Sequence, residues 1–443
     1  MNQSLKDPVE LYEYAKRFLV GGVAASARYN PSLGRPLMVQ RGAGARIWGV
    51  DGKEYIDYCL SHGATFLGYD HPATRKAIEW ALDLGVVCGY ETEHQARVAE
   101  LLCRVIPCAE LVRFSNSGTE ATQVAIRLAR AHTRREKILK FEGHFHGLHD
   151  YMLYSAHSQP LPLVDGTYVP PTVESEGVPE AIRDLVIVIP WNDLEALERA
   201  LREHGHEIAG VICEPVNYNS GCITPRAGYL EELRRLTTQY GVVLIFDEVL
   251  SGFRMALGGA QEHYGVTPDL CCLGKAVANG IGVSVVAGKR EVMQHLAPVG
   301  DTAHSGTYSG HLFQLLSVEA SIREMSEPGF YERIDALSRR LYDGLSQVFE
   351  EAGVTAVVQG LGARFGLIFG VTEASDYRQA RSGNSEQLDA FIRGCFERGV
   401  YFHSYGQIAI GHHGFSAAHT EADIDETLNR IQDVAREMAH ARA

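Results

Sequence analysis

Between residues 110 and 288 the chain carries seven short, largely apolar runs: "ELVRF" (110–114), "KILKF" (137–141), "DLVIVI" (184–189), "IAGVIC" (208–213), "GVVLIF" (241–246), "DLCCL" (269–273) and "VSVVAG" (283–288). Runs of this length, rich in β-branched residues, predict strands covered on both faces, as in a parallel sheet flanked by helices. Helical spacing fills the gaps. In "TEATQVAIRLARAHT" the residues Ala121, Val124, Ala125, Leu128 and Ala129 share one face, and "DLEALERALREHG" and "AGYLEELRRLTTQYG" behave alike, each ending near Gly. Strands alternating with helices over roughly 100–290 predict a large α/β domain.

The ends of the chain read differently. "GARIWGVDGKEYIDYCLSHGA" alternates around Asp51-Gly52, the signature of a hairpin. Past residue 313 the pattern turns helical, with strand signals in "VTAVVQGLGARFGLIFGV" and a final helix capped by Thr420 that places Ile424, Leu428 and Ile431 on one side. The expected division is an N-terminal segment and hairpin (1–65) packing with a small α+β domain (313–443), and a large domain (66–312). Residues 151–180 are rich in Pro, Ser and Gly without periodicity, which suits a lid or binding loop.

Composition narrows the setting. In 443 residues there are 55 acids against 41 bases, a formal net charge of −14. With no local basic patch evident in the sequence, this disfavours nucleic-acid and anionic-membrane partners. Nine scattered cysteines without a C-x-x-C pair, and no secretion signal, point to reduced thiols and a cytoplasmic location. No run approaches the ~20 apolar residues of a membrane helix.

Three stretches carry chemistry. In "RFSNSGTEA" (113–121) a strand gives way to a helix at Ser117-Gly118-Thr119, with Ser117 and Glu120 spaced as a capping box. Such a helix start is either a plain N-cap or an anion site built from free N–H groups and the positive dipole end. In "GVVLIFDEV" (241–249) a strand runs into Asp247-Glu248 at the edge where open α/β sheets bind ligands, although a salt bridge to a core arginine would also explain an acid there. In "PDLCCLGKAVANG" one cation, Lys275, sits among apolar and glycine neighbours. It is no phosphate-loop lysine, because Asp269 stands where that loop needs Gly and Ala276 where it needs Ser or Thr. A snorkelling surface side chain is the plain alternative; a desolvated lysine has a lowered pKa and is a nucleophilic amine. A phosphate cup, a strand-end carboxylate and an apolar-flanked lysine are together what pyridoxal 5'-phosphate requires.

The motifs "FSNSGTEAT", "KFEGHFHG", "CEPVNYNSGCITPRAGYL", "LIFDEVLSGFRMALGGAQEHYGVTPDL", "LGKAVANG" and "HSGTYSG" follow one another in the order of a known family. The chain resembles the class III, fold-type I aminotransferases over nearly its whole length, and within them is most similar to the glutamate-1-semialdehyde 2,1-aminomutase group. The resemblance implies a mostly parallel seven-stranded sheet flanked by helices plus a smaller α+β domain, and pyridoxal 5'-phosphate with pyridoxamine 5'-phosphate as intermediate. It further implies phosphate binding by Ser117, Gly118 and Thr119, ring stacking by Phe145 with His146 beside it, and Asn219 near the ring hydroxyl. Asp247 would pair with the ring nitrogen, Val249 would cover the other ring face, and Lys275 would form the Schiff base. Thr307 would reach the phosphate of a neighbouring subunit, making a homodimer, and Arg28 would hold a substrate carboxylate.

His144, His146 and His149 fit no zinc spacing, and no metal is expected. His412-His413 are either pocket or loop residues. The substrate side departs from the aminomutases: His62 stands where they carry Trp, Ala25 replaces a serine although Arg28 remains, and "HSYGQIAIGHHGFS" lacks their acid and is two residues longer. "TYSGHLFQ" and the 151–180 loop also differ. These departures favour amino transfer from a small-molecule amine or amino-acid donor to a separate carbonyl acceptor. The alternatives are the aminomutase itself and a non-catalytic ligand-binding protein of the same fold.

Overall fold

The computed structural model describes residues 6–406 and 409–440. Gln407 and Ile408 of the divergent C-terminal stretch, and the outermost residues of the first and last expected segments, lie outside them. The chain divides into two compact units: Pro72–Glu332 with Ser375–Arg378, and Met1–His71 with Arg333–Ala374 and Gln379–Ala443.

In the unit containing the N-terminus, a helix (Pro8–Ala15) and three short turns precede strands β1 (Val39–Ala43), β2 (Arg46–Gly49) and β3 (Glu54–Asp57). β2 and β3 pair antiparallel, Arg46 opposite Ile56, around a turn in which Gly52 takes φ +83°, a left-handed conformation that glycine adopts without a Cβ penalty.

The other unit is built on seven strands: β4 (Leu111–Ser115), β5 (Lys137–Phe141), β6 (Val186–Ile189), β7 (Ile208–Cys213), β8 (Val243–Glu248), β9 (Leu270–Leu273) and β10 (Ser284–Gly288). They lie in the order β4-β10-β9-β8-β7-β5-β6. β10 alone runs antiparallel to both its neighbours, so the other six point the same way. The apolar face foreseen for the helix Gly118–Thr133 packs on this sheet, with Ala121, Val124, Ala125, Leu128 and Ala129 against Ile212, Ile245, Leu270 and Val286. Burying each Val, Leu or Ile contributes about 1.5–3 kcal/mol.

The remaining strands belong to the first unit. β11 (Ala356–Leu361) and β12 (Arg364–Phe369) form an antiparallel hairpin, β13 (Val400–Tyr401) adds to β3 in parallel, and β14 (Gly411–Gly414) adds to β12. The helix Glu421–His440 starts in a reciprocal cap: Thr420 Oγ1 accepts the Asp423 N–H at 3.1 Å and the Asp423 carboxylate accepts the Thr420 N–H at 2.9 Å.

Residues 151–180 have little regular structure but are stitched down. Tyr154 bridges Val173, Tyr154 and Val169 are buried with Val186 and Val188, and one Glu174 carboxylate oxygen accepts the N–H groups of Ala156, His157 and Ser158 at 2.8–2.9 Å. All nine cysteines are free thiols. Among the described residues no helix is long and apolar enough to cross a membrane.

Candidate active site

Six co-directional strands bring their carboxyl ends to one edge of the sheet, where such folds gather ligands. Ser117 follows the end of β4, the 142–149 loop follows β5, Glu214 follows β7, Asp247 is the penultimate residue of β8, and Lys275 follows β9. Register brings two of them onto neighbouring strands: Asp247 lies opposite Cys272 and Glu248 opposite Leu273, two residues before Lys275.

The helix start beside β4 has donors that could hold an anion. Ser117 Oγ accepts the Glu120 N–H at 3.3 Å, while the Glu120 carboxylate reaches past the cap to the Asn116 N–H at 2.7 Å. The box foreseen for Ser117 and Glu120 is therefore shifted by one residue. The N–H groups of Gly118 and Thr119 have no acceptor within the helix, and the Ser117 hydroxyl keeps its proton to donate. Opposite them the 144–149 loop approaches closely: Thr122 Oγ1 donates to the His146 carbonyl at 2.7 Å and Thr119 Oγ1 accepts the Leu148 N–H at 3.1 Å. Gly147 (φ +95°) makes this possible, since a Cβ there would lie 2.7 Å from Thr119 Oγ1.

At the centre stand buried carboxylates. Asp247 is 5% exposed; its Oδ2 receives His146 Nδ1 at 2.8 Å and its Oδ1 the Val249 N–H at 3.1 Å. Against an acceptor-only carboxylate, Nδ1 must carry the imidazole proton. Burial lowers the His146 pKa despite the opposing pull of Asp247, so the ring is held neutral. Glu248, by contrast, serves the fold: it accepts from Ala260 N, Gln261 Nε2 and Ser251 Oγ, and burial pushes it up to about 7.

Glu214, which the sequence reading passed over, completes the cluster. Its two oxygens accept the Phe145 N–H and the Asn219 side-chain amide, each at 2.9 Å. Burial first and the negative charge of Asp247 second push its pKa up to about 8, while the charge of Lys275 draws it down. Those opposing influences identify Asp247, Glu214 and Lys275 as one electrostatic cluster. Because Glu214 ionises at pH 4.5 in a free chain and at about 8 in the fold, its contribution to stability is whole below pH 4.5 and is lost as pH rises through 8. In the cofactor-free protein Glu214→Gln is therefore expected to become more stabilising, relative to the parent, by about 1.4 kcal/mol per pH unit between those limits. Denaturant unfolding at several pH values measures this; a pH-independent difference would contradict the assignment.

Lys275 is half-buried, less enclosed than its apolar sequence neighbours suggest, because it leaves the sheet at a strand end while Ala276, Val277 and Ala278 turn inward. Its backbone is left-handed (φ +46°), a conformation that costs a non-glycine residue about 1–2 kcal/mol and gathers at functional positions. Phe145 and Val249 are both half-buried, and Val249 Cγ1 would stand 3.0 Å from a Cβ on Gly118 and 3.2 Å from one on Gly274.

Further pins hold the loop that carries Phe145 and His146. Fully buried Lys140 donates to the carbonyls of His144, Met152 and Tyr154 at 2.9, 3.3 and 2.6 Å, and burial lowers its pKa to about 8. Glu142 takes a two-pronged ion pair from Arg378 at 2.8 and 3.1 Å. The run "KILKF" reads in sequence as a covered strand, with no role given to Lys140 itself. Of the three neighbouring histidines, His144 Nδ1 accepts the Glu214 N–H at 3.0 Å, His146 braces Asp247, and His149 meets Thr122 Oγ1 at 3.3 Å. Thr307 is exposed.

In the other unit Arg28 and His62 line a cavity of about 610 Å³ together with Leu37, Met38, Val39 and Ile47. Arg28 is exposed, at the end of the turn Ser26–Arg28. Leu60, Ser61 and His62 are three successive left-handed residues (φ +55°, +52°, +57°), anchored by the Asp57 carboxylate, which accepts the N–H groups of Cys59 and Leu60 at 2.8 and 3.0 Å. His62 Nδ1 meets the Tyr405 hydroxyl at 3.0 Å, and His412 stacks on Tyr405 at 4.2 Å. His412 thus belongs to this aromatic cluster, whereas His413 is fully buried.

The aminotransferase class-III family matches residues 28–435. This chain belongs to that family. It is 40% identical over 433 residues to the glutamate-1-semialdehyde 2,1-aminomutase of Persephonella marina, covering 97% of this chain and 98% of the relative. Among solved structures, an omega-transaminase from Sphaerobacter thermophilus superposes with a TM-score of 0.91 at 32% identity, over 98% of this chain and 97% of that one. A transaminase with PLP bound superposes with a TM-score of 0.89 at 29% identity, over the whole of both chains. These neighbours are fold-type I enzymes, and the mixed, mostly parallel sheet flanked by helices together with a smaller second unit agrees with that fold.

The residues of this class III chain suit the cofactor on chemical grounds. Unbonded helix N–H groups and a hydroxyl fit a phosphate, a buried acceptor-only carboxylate braced on both oxygens fits a protonated ring nitrogen, and a primary amine follows the adjacent strand.

Proposed function

We propose that this chain holds pyridoxal 5'-phosphate and moves an amino group on a small carboxylate-bearing substrate. The observation that carries the reading is the electrostatic grouping of Asp247, Glu214 and Lys275 at the strand ends next to the Ser117 helix start. When bound, the cofactor supplies an electron sink for the pair released at the substrate Cα. Gly118 and Thr119 N–H with the Ser117 hydroxyl bind and orient the phosphate. Asp247, fixed by neutral His146 and the Val249 N–H, holds a proton at the ring nitrogen. Phe145 and Val249 exclude water from the ring faces, and Asn219, held by Glu214, lies at the ring hydroxyl. The Lys275 amine would take the proton from the substrate Cα and hold it on Nζ. Thr307 serves the phosphate of a second subunit in a cytoplasmic homodimer.

The substrate reading best supported by the named relatives is the intramolecular shift in glutamate 1-semialdehyde, with Arg28 anchoring the carboxylate. The near-complete span of the aminomutase similarity outweighs the local departures that pointed to a separate donor and acceptor. Transfer between two substrates is the second reading, favoured by Leu37, Met38, Val39 and Ile47 beside Arg28, apolar residues that suit a donor with an apolar body. Feeding the enzyme glutamate 1-semialdehyde alone separates them. Formation of the isomer with its amino group moved from C2 to C1, without an added acceptor, supports the shift, whereas a requirement for an added amine donor and carbonyl acceptor supports transfer. In either case Arg28→Lys is expected to raise KM for the carboxylate substrate by about 10- to 100-fold with a smaller change in kcat, because a point charge replaces a two-pronged fork. Steady-state kinetics measures this.

A further inference from the structure

The helix whose first residues form the phosphate cup ends at Thr133, sixteen residues on and so about 24 Å away. Around that far end lies an open surface depression of about 530 Å³ lined by Arg127, Arg130, Arg134 and Arg135, with Glu136 and Asp301 also on its wall. Arg127, Arg130 and Arg134 fall on one helix face by their spacing. Among the described residues, none of the four guanidinium groups lies within ion-pair distance of a carboxylate, although the chain carries 55 acids.

Two of the arginines are committed to the scaffold. Arg135 donates to the carbonyls of Gly205, Ile208, Tyr240 and Gly241. Arg130 bonds the Glu136 carbonyl and stacks on Tyr151 at 4.1 Å. They form a fixed positive floor. The other two keep donors in hand: Arg127 makes a single bond, to the Ala303 carbonyl at 2.9 Å, and the Arg134 side chain makes none. Arg134 is moreover the left-handed residue that closes the helix (φ +57°), a position where glycine is the unstrained choice. The helix dipole favours cations at this end, but a dipole asks for one or two, not four around a depression.

We propose that this depression is a binding site for a phosphate-bearing small molecule, separate from the cofactor cup. Four guanidinium groups against two carboxylates leave the lining with a surplus of two positive charges, which a phosphate monoester dianion or a diphosphate neutralises. Guanidinium forks match phosphate oxygens two at a time. The volume lies within the range of sites for metabolite-sized ligands. In a protein of net charge −14, such a site binds by local contacts against an unfavourable overall field.

Isothermal titration of cofactor-saturated enzyme with pyrophosphate, and separately with ADP, tests this while the cofactor absorbance reports that the cup is undisturbed. Saturable binding is expected, weakened at least about tenfold in Arg127→Ala/Arg134→Ala and strengthened in Glu136→Gln/Asp301→Asn. ADP binding more tightly than pyrophosphate assigns a nucleotide to the site, and equal affinities assign it to the phosphate groups alone. Arg127→Lys/Arg134→Lys, which keeps the charge at the helix end, is expected to bind more weakly than the parent at unchanged thermal stability. Absence of saturable binding by the parent enzyme, or parental affinity in the alanine variant, overturns the proposal.

Discussion

Lys275→Ala is expected to cut turnover by at least about 10⁴-fold while leaving a folded protein. The size follows from two losses at once: the amine that engages the cofactor and the base that carries the Cα proton. The fold survives because the lysine side chain is only half-buried and its neighbours Ala276, Val277 and Ala278 supply the packing. The left-handed backbone at this position adds a control. Lys275→Gly relieves strain that alanine retains, so it should be about 1 kcal/mol more stable than Lys275→Ala and equally inactive. A small primary amine in solution should restore part of the activity of both variants, which a merely structural lysine would not allow. Parental turnover in either variant would contradict the assignment.

Asp247→Asn is expected to lower kcat/KM by about 10³-fold at little cost to the cofactor-free fold. Asparagine keeps the shape and an acceptor for either His146 Nδ1 or the Val249 N–H, and it removes a buried negative charge. It cannot hold a proton on a ring nitrogen. Loss of that charge also removes the second largest influence raising Glu214, so the Glu214 pKa should fall. Unfolding measurements and kinetics on the same variant should therefore diverge: stability within about 1–2 kcal/mol of the parent, rate lower by three orders of magnitude. A variant of parental activity would show that Asp247 is only a structural partner of His146.

The seven strands, the helix on them and the Asp51-Gly52 hairpin were legible because each is written in local periodicity and turn chemistry. Ser117 stood out by its capping-box spacing, Asp247 and Lys275 because their charges clash with the apolar runs beside them, and co-directional strand ends explain why such distant positions meet. Glu214 was hidden beside a proline in a loop, and its weight comes from Asp247, Asn219 and Lys275, which only the fold brings near. Lys140 lay unremarked in a strand read as covered on both faces, and three loop carbonyls converge on it. No local basic patch was evident in the sequence, because Arg127, Arg130, Arg134 and Arg135 are spread along the "IRLARAHTRRE" pattern and gather only around the depression at the helix end.

Two lysines in this unit are candidates for the amine that engages the cofactor, one buried in the sheet and one at a strand end. Lys140 is fully buried with a pKa lowered to about 8, but its donors are spent on carbonyls; Lys275 stands at the strand end beside Asp247 and Glu214. Borohydride reduction of the enzyme loaded with pyridoxal phosphate, followed by peptide mass spectrometry, reads which one the cofactor engages. The account predicts a stable pyridoxyl group on Lys275 and none on Lys140. A modified Lys140, or no modified lysine at all, would contradict it.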